Sequence, residues 1–112
     1  MTGTLTADTE YKSGCVTAKL RGEIDHHTAK GARDTIDKAI YLYRPKKLVL
    51  SLAEVTFMDS SGLGLILGRI ATAEAVSASV TLRDVPPHAM KILSMAGVNR
   101  IPDLVIEEKE NK

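Results

Sequence analysis

Residues 47–52 read K-L-V-L-S-L. The run is short, mostly apolar and bounded by turn signals. A strand that is apolar on both faces is buried on both, so this one reads as a central strand parallel to a neighbour. The flanking sequence agrees. Upstream, Ala29, Ala32, Ile36, Ala39, Ile40 and Tyr43 recur every three or four residues, which is one face of a helix over 28–43. Arg44-Pro45 stops that helix. Downstream, the pattern predicts a second helix over 60–75 and a strand over 79–83. Pro86-Pro87 then opens a third helix, which Gly97 caps, and a weak strand over 101–106 is placed at an edge by Pro102.

At the N-terminal end, Leu5, Ala7, Thr9 and Tyr11 alternate with polar residues, Lys12-Ser13-Gly14 is a turn signal, and Val16, Ala18 and Leu20 alternate again. Two alternating runs around a short glycine turn predict a hairpin. Residues 22–25 are expected to leave the sheet. The order is β-β-α-β-α-β-α-β, one α/β domain over 1–112. Its sheet is mixed but mostly parallel, with helices packed on it and a polar tail over 107–112.

The 112 residues suit a single domain with its own core. Fifteen basic and fourteen acidic residues give a net charge of +1, which favours neither nucleic acid nor an anionic membrane as partner. Cys15 is the single cysteine, so no intrachain disulfide forms, and it reads as a small core or edge residue. The start, M-T-G-T-L-T-A-D, has neither a basic nor an apolar signal segment. No stretch approaches the roughly 20 apolar residues that span a bilayer. A cytoplasmic protein is expected.

Residues 58–64 read M-D-S-S-G-L-G and join the central strand to the second helix. A phosphate-binding Walker loop needs Lys and Ser or Thr after its glycines, and Leu65-Ile66-Leu67 stand there instead. A dinucleotide loop fails because Gly62, Gly64 and Gly68 are spaced one residue too widely. A nucleophile elbow fails because Met58 and Asp59 occupy the positions before the serines. A helix cap survives, with Ser60 as the capping residue. On the helix behind it, Leu63, Ile66, Leu67 and Ile70 form a face sufficient for the core. Ser61, Gly64, Leu65, Gly68 and Thr72 gather on another. Two glycines inside a helix cost about 1 kcal/mol each relative to alanine. Something must come close to that backbone: either the helix over 28–43, or another protein with Leu65 as an exposed anchor. A helix N-terminus also tolerates a phosphoserine, which carries about −1.5 to −2 charges, so modification could change the surface while sparing the fold.

The stretch G-E-I-D-H-H-T-A at 22–29, followed by F-M-D-S-S-G-L-G-L-I-L-G-R at 57–69, resembles the STAS domain of bacterial anti-sigma factor antagonists, in particular its sporulation members. The similarity runs along nearly the whole chain. It implies partner switching in transcription regulation. The unphosphorylated antagonist binds an anti-sigma factor that is also a serine kinase, which frees the sigma factor. The kinase phosphorylates the first serine of D-S-S-G, here Ser60, and the partners separate. A PP2C-type phosphatase restores the serine. The domain is then a substrate and competitor, not an enzyme, and needs no cofactor. Carried over by position, Asp59 precedes the phosphoacceptor. Ser61, Gly62 and Leu63 form the helix start that docks on the kinase, with Gly64 and Leu65 following. Asp25 pairs with a basic residue of the kinase. Family domains end in a further helix, whereas E-E-K-E-N-K here leaves that helix short or absent. A monomer, or at most a weak dimer, is expected. The alternative function is a STAS module that senses a nucleotide or anion at the helix N-terminus near Ser60.

His26 and His27 are adjacent on a loop and make a poor pair of metal ligands, with His88 far away in the chain, so no metal site is expected. Either Asp25 or Thr28 caps the first helix, and the histidines line the loop beside Ser60. Arg69 lies near the edge between the core face and the glycine face, where it either contacts a partner or stays solvated, and solvation is the expectation. Arg44, Lys46 and Lys47 are too few to argue for nucleic acid.

Overall fold

The computed structural model describes residues 3–110. Strand β1 (Leu5–Lys12) pairs antiparallel with β2 (Cys15–Ile24). Ser13 and Gly14 both have positive φ (51° and 80°), the requirement of the tight hairpin turn whose twist matches that of the strands. Helix α1 (Ala29–Tyr43) ends where Arg44 turns left-handed, at φ 43°, before Pro45. Then follow β3 (Lys47–Met58), α2 (Ser60–Ala75), β4 (Ser79–Val85), α3 (Pro87–Met95), a short 3-10 turn (Val98–Arg100) and β5 (Val105–Glu108).

The sheet order is β1-β2-β3-β4-β5, with β3 in the middle and parallel to both neighbours. Each crossover steps one strand in the same direction. Right-handed connections therefore put all three helices on one face of the sheet. The core agrees. Val16, Ala18 and Leu20 of β2, Leu48, Leu50 and Leu52 of β3, and Val80 and Leu82 of β4 meet Ile36 and Ile40 of α1, Ile66 of α2 and Leu93 of α3.

The sheet is longer than the sequence pattern suggests. Residues 22–25 do not leave it: β2 continues to Ile24, which pairs with Met58. Strand β3 likewise runs six residues past Leu52. Two register shifts against β2, between Lys19 and Arg21 and between Gly22 and Glu23, break the period-two alternation there and hide the strand. Gly22 sits at the second shift with φ 114°, and a Cβ added to it would run into the carbonyl oxygen of Thr4. The second shift also turns Phe57 outward, 47% exposed, while Met58 stays buried.

Three further corrections concern the ends. Thr9 and Tyr11 stay exposed near the end of the edge strand, where α1 reaches the sheet only with its last residue: the Tyr43 ring stacks on Tyr11, ring centroids 4.5 Å apart. The last strand begins at Val105 rather than at 101, since the 3-10 turn and the residues after it, Pro102 included, precede it. The polar tail starts later than 107. Glu107 and Glu108 are in β5, the Lys109 amide donates to Val85 O (2.9 Å) and its Nζ to Ala53 O (2.8 Å). Residues 111 and 112 of that expected tail lie outside the described residues. Among the described residues no helix follows β5, and none is long and apolar enough to cross a membrane.

Candidate functional site

Parallel strands deliver the loops at their C-terminal ends to one edge, the usual place for a site in an α/β sheet. Here β2 and β3 end side by side at Ile24 and Met58. Asp25 and Asp59 each follow directly, and the Asp59 amide donates to Ile24 O (3.3 Å), tying the two loops together.

The loop after β2 is closed by reciprocal hydrogen bonds. Asp25 Oδ1 accepts from the amides of His27 (2.8 Å) and Thr28 (3.0 Å). Thr28 Oγ1 accepts from the Asp25 amide (3.0 Å) and donates to Glu23 O (2.8 Å). Thr28 holds the capping position of α1, but Asp25 supplies the carboxylate. Partial desolvation pushes the Asp25 carboxyl up. The amides of Thr28 and His27, the His27 charge and the Thr28 hydroxyl together outweigh it, and the net result lies below the ordinary 3.8. Stability from this loop is therefore full above pH 3.8 and is lost as pH falls through the lower, folded value. We expect Asp25→Asn to melt below the parent protein at pH 7, and the gap to narrow progressively as the pH of the melts is lowered below 3.8. A gap that stays constant would mean the charge plays no part.

The 58–64 stretch opens α2 as expected, with one change of roles. Asp59, not Ser60, is the cap: its backbone is extended and its Oδ1 accepts from the Ser61 amide at 2.7 Å. An aspartate caps as well as a serine, and its charge suits the helix N-terminus better. Ser60 is thereby the first helical residue. It is exposed, and its hydroxyl makes no hydrogen bond within the described residues. Ser61 is half-buried behind it. Gly62 is buried, and its amide donates to Asp59 O (3.0 Å). A Cβ there would collide with the Met58 side chain, whose Sδ would lie at 2.7 Å, so glycine is what lets α2 start so close to the end of β3.

The helix is rotated from its expected phase. Gly62, Leu65, Ile66, Arg69 and Ala73 face inward. Leu65, expected as an exposed anchor, is 4% exposed and belongs to the core, while Leu67, expected in the core, is 39% exposed. Five apolar residues among eight at 63–70 fit more than one face, and the strongest phase markers, buried Gly62 and buried Arg69, carry no apolar signal. Arg69 is not solvated: 5% exposed, it lies with Nε 2.8 Å from Asp37 Oδ1 on α1. Leu63 and Gly64 flank the helix start, half-buried and exposed respectively. A Cβ added at Gly64 or Gly68 meets nothing within 4 Å, so α1 is not the reason for those glycines.

His26 and His27 are exposed, their rings 3.9 Å apart. Among the described residues no cluster of metal-ligating side chains exists. Phe57 was missed in the sequence reading. Its signal was a bulky aromatic beside D-S-S-G with no place in either alternating face, and it now stands exposed at the rim, one residue before the buried Met58.

Comparison with known proteins fits this arrangement. The STAS domain family model matches residues 6–111. An anti-sigma F factor antagonist of Paenibacillus polymyxa is 38% identical over 97 residues, covering 87% of this chain and 83% of that protein. The solved structure of the anti-sigma factor antagonist SpoIIAA in its unphosphorylated form superposes with a TM-score of 0.76 at 30% identity, covering 90% of this chain and 87% of that one. A structure of the Bacillus cell fate determinant SpoIIAA in the phosphorylated form gives a TM-score of 0.70 at 30% identity, covering 90% of each chain.

Proposed function

This chain belongs to the STAS domain family, and on that premise we propose that it is an anti-sigma factor antagonist switched by phosphorylation of Ser60. The unmodified chain binds an anti-sigma factor that is also a serine kinase and thereby frees a sigma factor. Phosphoryl transfer to Ser60 dissolves the complex, and a PP2C-type phosphatase reverses it. The chain acts in the cytoplasm as substrate and competitor, not as catalyst. The observation that carries this reading is the state of Ser60. Its hydroxyl is exposed and spared from capping because Asp59 does that work. A kinase can reach it, and a phosphate on it neither removes a structural hydrogen bond nor enters the core. The helix end attracts the dianion while Asp59 repels it, so the charge stays at the surface, where a partner meets it. The relatives named as anti-sigma factor antagonists support the partner class, and SpoIIAA solved in a phosphorylated form supports the modification.

The docking surface comprises Asp25, His26, Asp59, Ser61, Gly62 and Leu63 around Ser60, with Phe57 at its rim and Gly64 leading away along α2. Leu65 can act there only from below, as packing. A nucleotide-sensing role at the same helix end is less well supported, because the Asp59 carboxylate already takes the Ser61 amide that an anion would use. Incubation with the cognate kinase and ATP, followed by mass spectrometry, tests the assignment. One phosphate on Ser60 is expected, with none on the Ser60→Ala variant. Phosphate on Ser61 instead would refute it.

A further inference from the structure

An open groove of about 620 Å³ runs between α1 and α2 and joins the Ser60 surface through Ser61 and His26. Three of its features are unexplained by the fold. First, α2 lines it with Gly64 and Gly68, one turn apart, where a Cβ would meet nothing within 4 Å. Alanine would fit both positions and hold the helix better, so no contact among the described residues calls for glycine. Second, Arg69 lines the groove while only 5% exposed, and its Nη1 has no hydrogen-bond partner among the described residues. Its Nε is 2.8 Å from Asp37 Oδ1, yet neither atom is aligned for a hydrogen bond, so the contact is one of charge alone. A buried guanidinium short of acceptors is an unusual state for a folded chain. Third, Lys30 and Arg33 stand on the α1 side. The acids facing these three cations are Asp34, 4.0 Å from Lys30 and 3.4 Å from Arg33, and Asp37. Three cations against two carboxylates leave the groove positive.

We propose that this groove receives an acidic segment of the anti-sigma factor, whose backbone lies against α2 at Gly64 and Gly68 and whose carboxylate sits among Lys30, Arg33 and Arg69. The proposal rests on the partner reading above and extends it along α2. Charge complementarity and continuity with the Ser60 surface select this occupant. The carboxylate meets Lys30 and Arg33 directly and adds countercharge beside Arg69, whose Nε and Nη1 are sealed from solvent, and the glycines allow a close backbone approach.

The test measures binding of the anti-sigma factor encoded in the same genome to the full chain, by calorimetry. The variants are Gly64→Ala/Gly68→Ala, Lys30→Glu/Arg33→Glu and, as control, Ser60→Asp. The double alanine variant is expected to melt higher, by roughly 5 °C. Both it and the charge-reversed variant are expected to bind about tenfold or more weakly. Parent-like binding by the two groove variants, with binding lost only in Ser60→Asp, would overturn the groove and leave the switch standing. A lowered melting temperature for the double alanine variant would return the glycines to the fold and also overturn it. No binding by the parent chain would overturn both.

Discussion

Replacing Asp37 by alanine is expected to lower the melting temperature by roughly 10–20 °C. The reason is the partner it abandons. Arg69 is 5% exposed and Asp37 is its nearest countercharge at 2.8 Å. Burial is the main influence on the guanidinium and pushes its pKa below the ordinary arginine value, with Asp37 opposing. Removing one member of a buried pair leaves an uncompensated charge and costs about 3–5 kcal/mol. Asp37 itself keeps 22% of its side chain exposed, so water can partly replace it and about 3 kcal/mol is the better figure. The double variant Asp37→Ala/Arg69→Leu removes the stranded charge together with its partner and should recover most of the loss. Thermal unfolding of parent, single and double variants followed by circular dichroism decides it. A double variant no more stable than the single would show that lost packing, not stranded charge, sets the effect.

The second large effect falls on binding rather than folding. Ser60→Asp is expected to weaken the anti-sigma factor complex about 100-fold or more while moving the melting temperature by no more than about 2 °C. The cap remains, because Asp59 and not Ser60 accepts the Ser61 amide. The core is untouched, because Ser60 is exposed. The new carboxylate sits at the first helical position, where the helix end favours it by about 0.3–1 kcal/mol, roughly balancing repulsion from Asp59. What changes is the face offered to the partner, which would have to desolvate a like or unpaired charge on closing. Ser60→Ala should bind as the parent does and stay bound in the presence of kinase and ATP. A melting temperature that collapses in Ser60→Asp would make Ser60 a structural residue after all.

The two ends of the chain's logic were unequally legible. The helices were readable because their apolar residues repeat at one spacing and their stops are chemically explicit, Arg44-Pro45 for α1 and Pro86-Pro87 at the start of α3. The C-terminal halves of β2 and β3 were not, because two register shifts cancel the alternation that marks a strand. Within the site, Ser60, Gly62 and Asp59 were identifiable from D-S-S-G. The division of labour was not: Asp and Ser cap equally well, and only the folded backbone assigns the cap to Asp59. Arg69 was misread for a simpler reason. A charged residue on a helix is ordinarily solvated, and nothing in the linear sequence says that Asp37 on another helix will face it. Leu65 and Leu67 exchanged roles because α2 is apolar on more than one side.

Affinity of the anti-sigma factor for the chain with and without a phosphate on Ser60, at matched ionic strength, measures the switch directly. The account predicts a tight complex with the unmodified chain, a loss of about 100-fold or more on phosphorylation, and recovery after phosphatase treatment. Equal affinity for the two forms would contradict it.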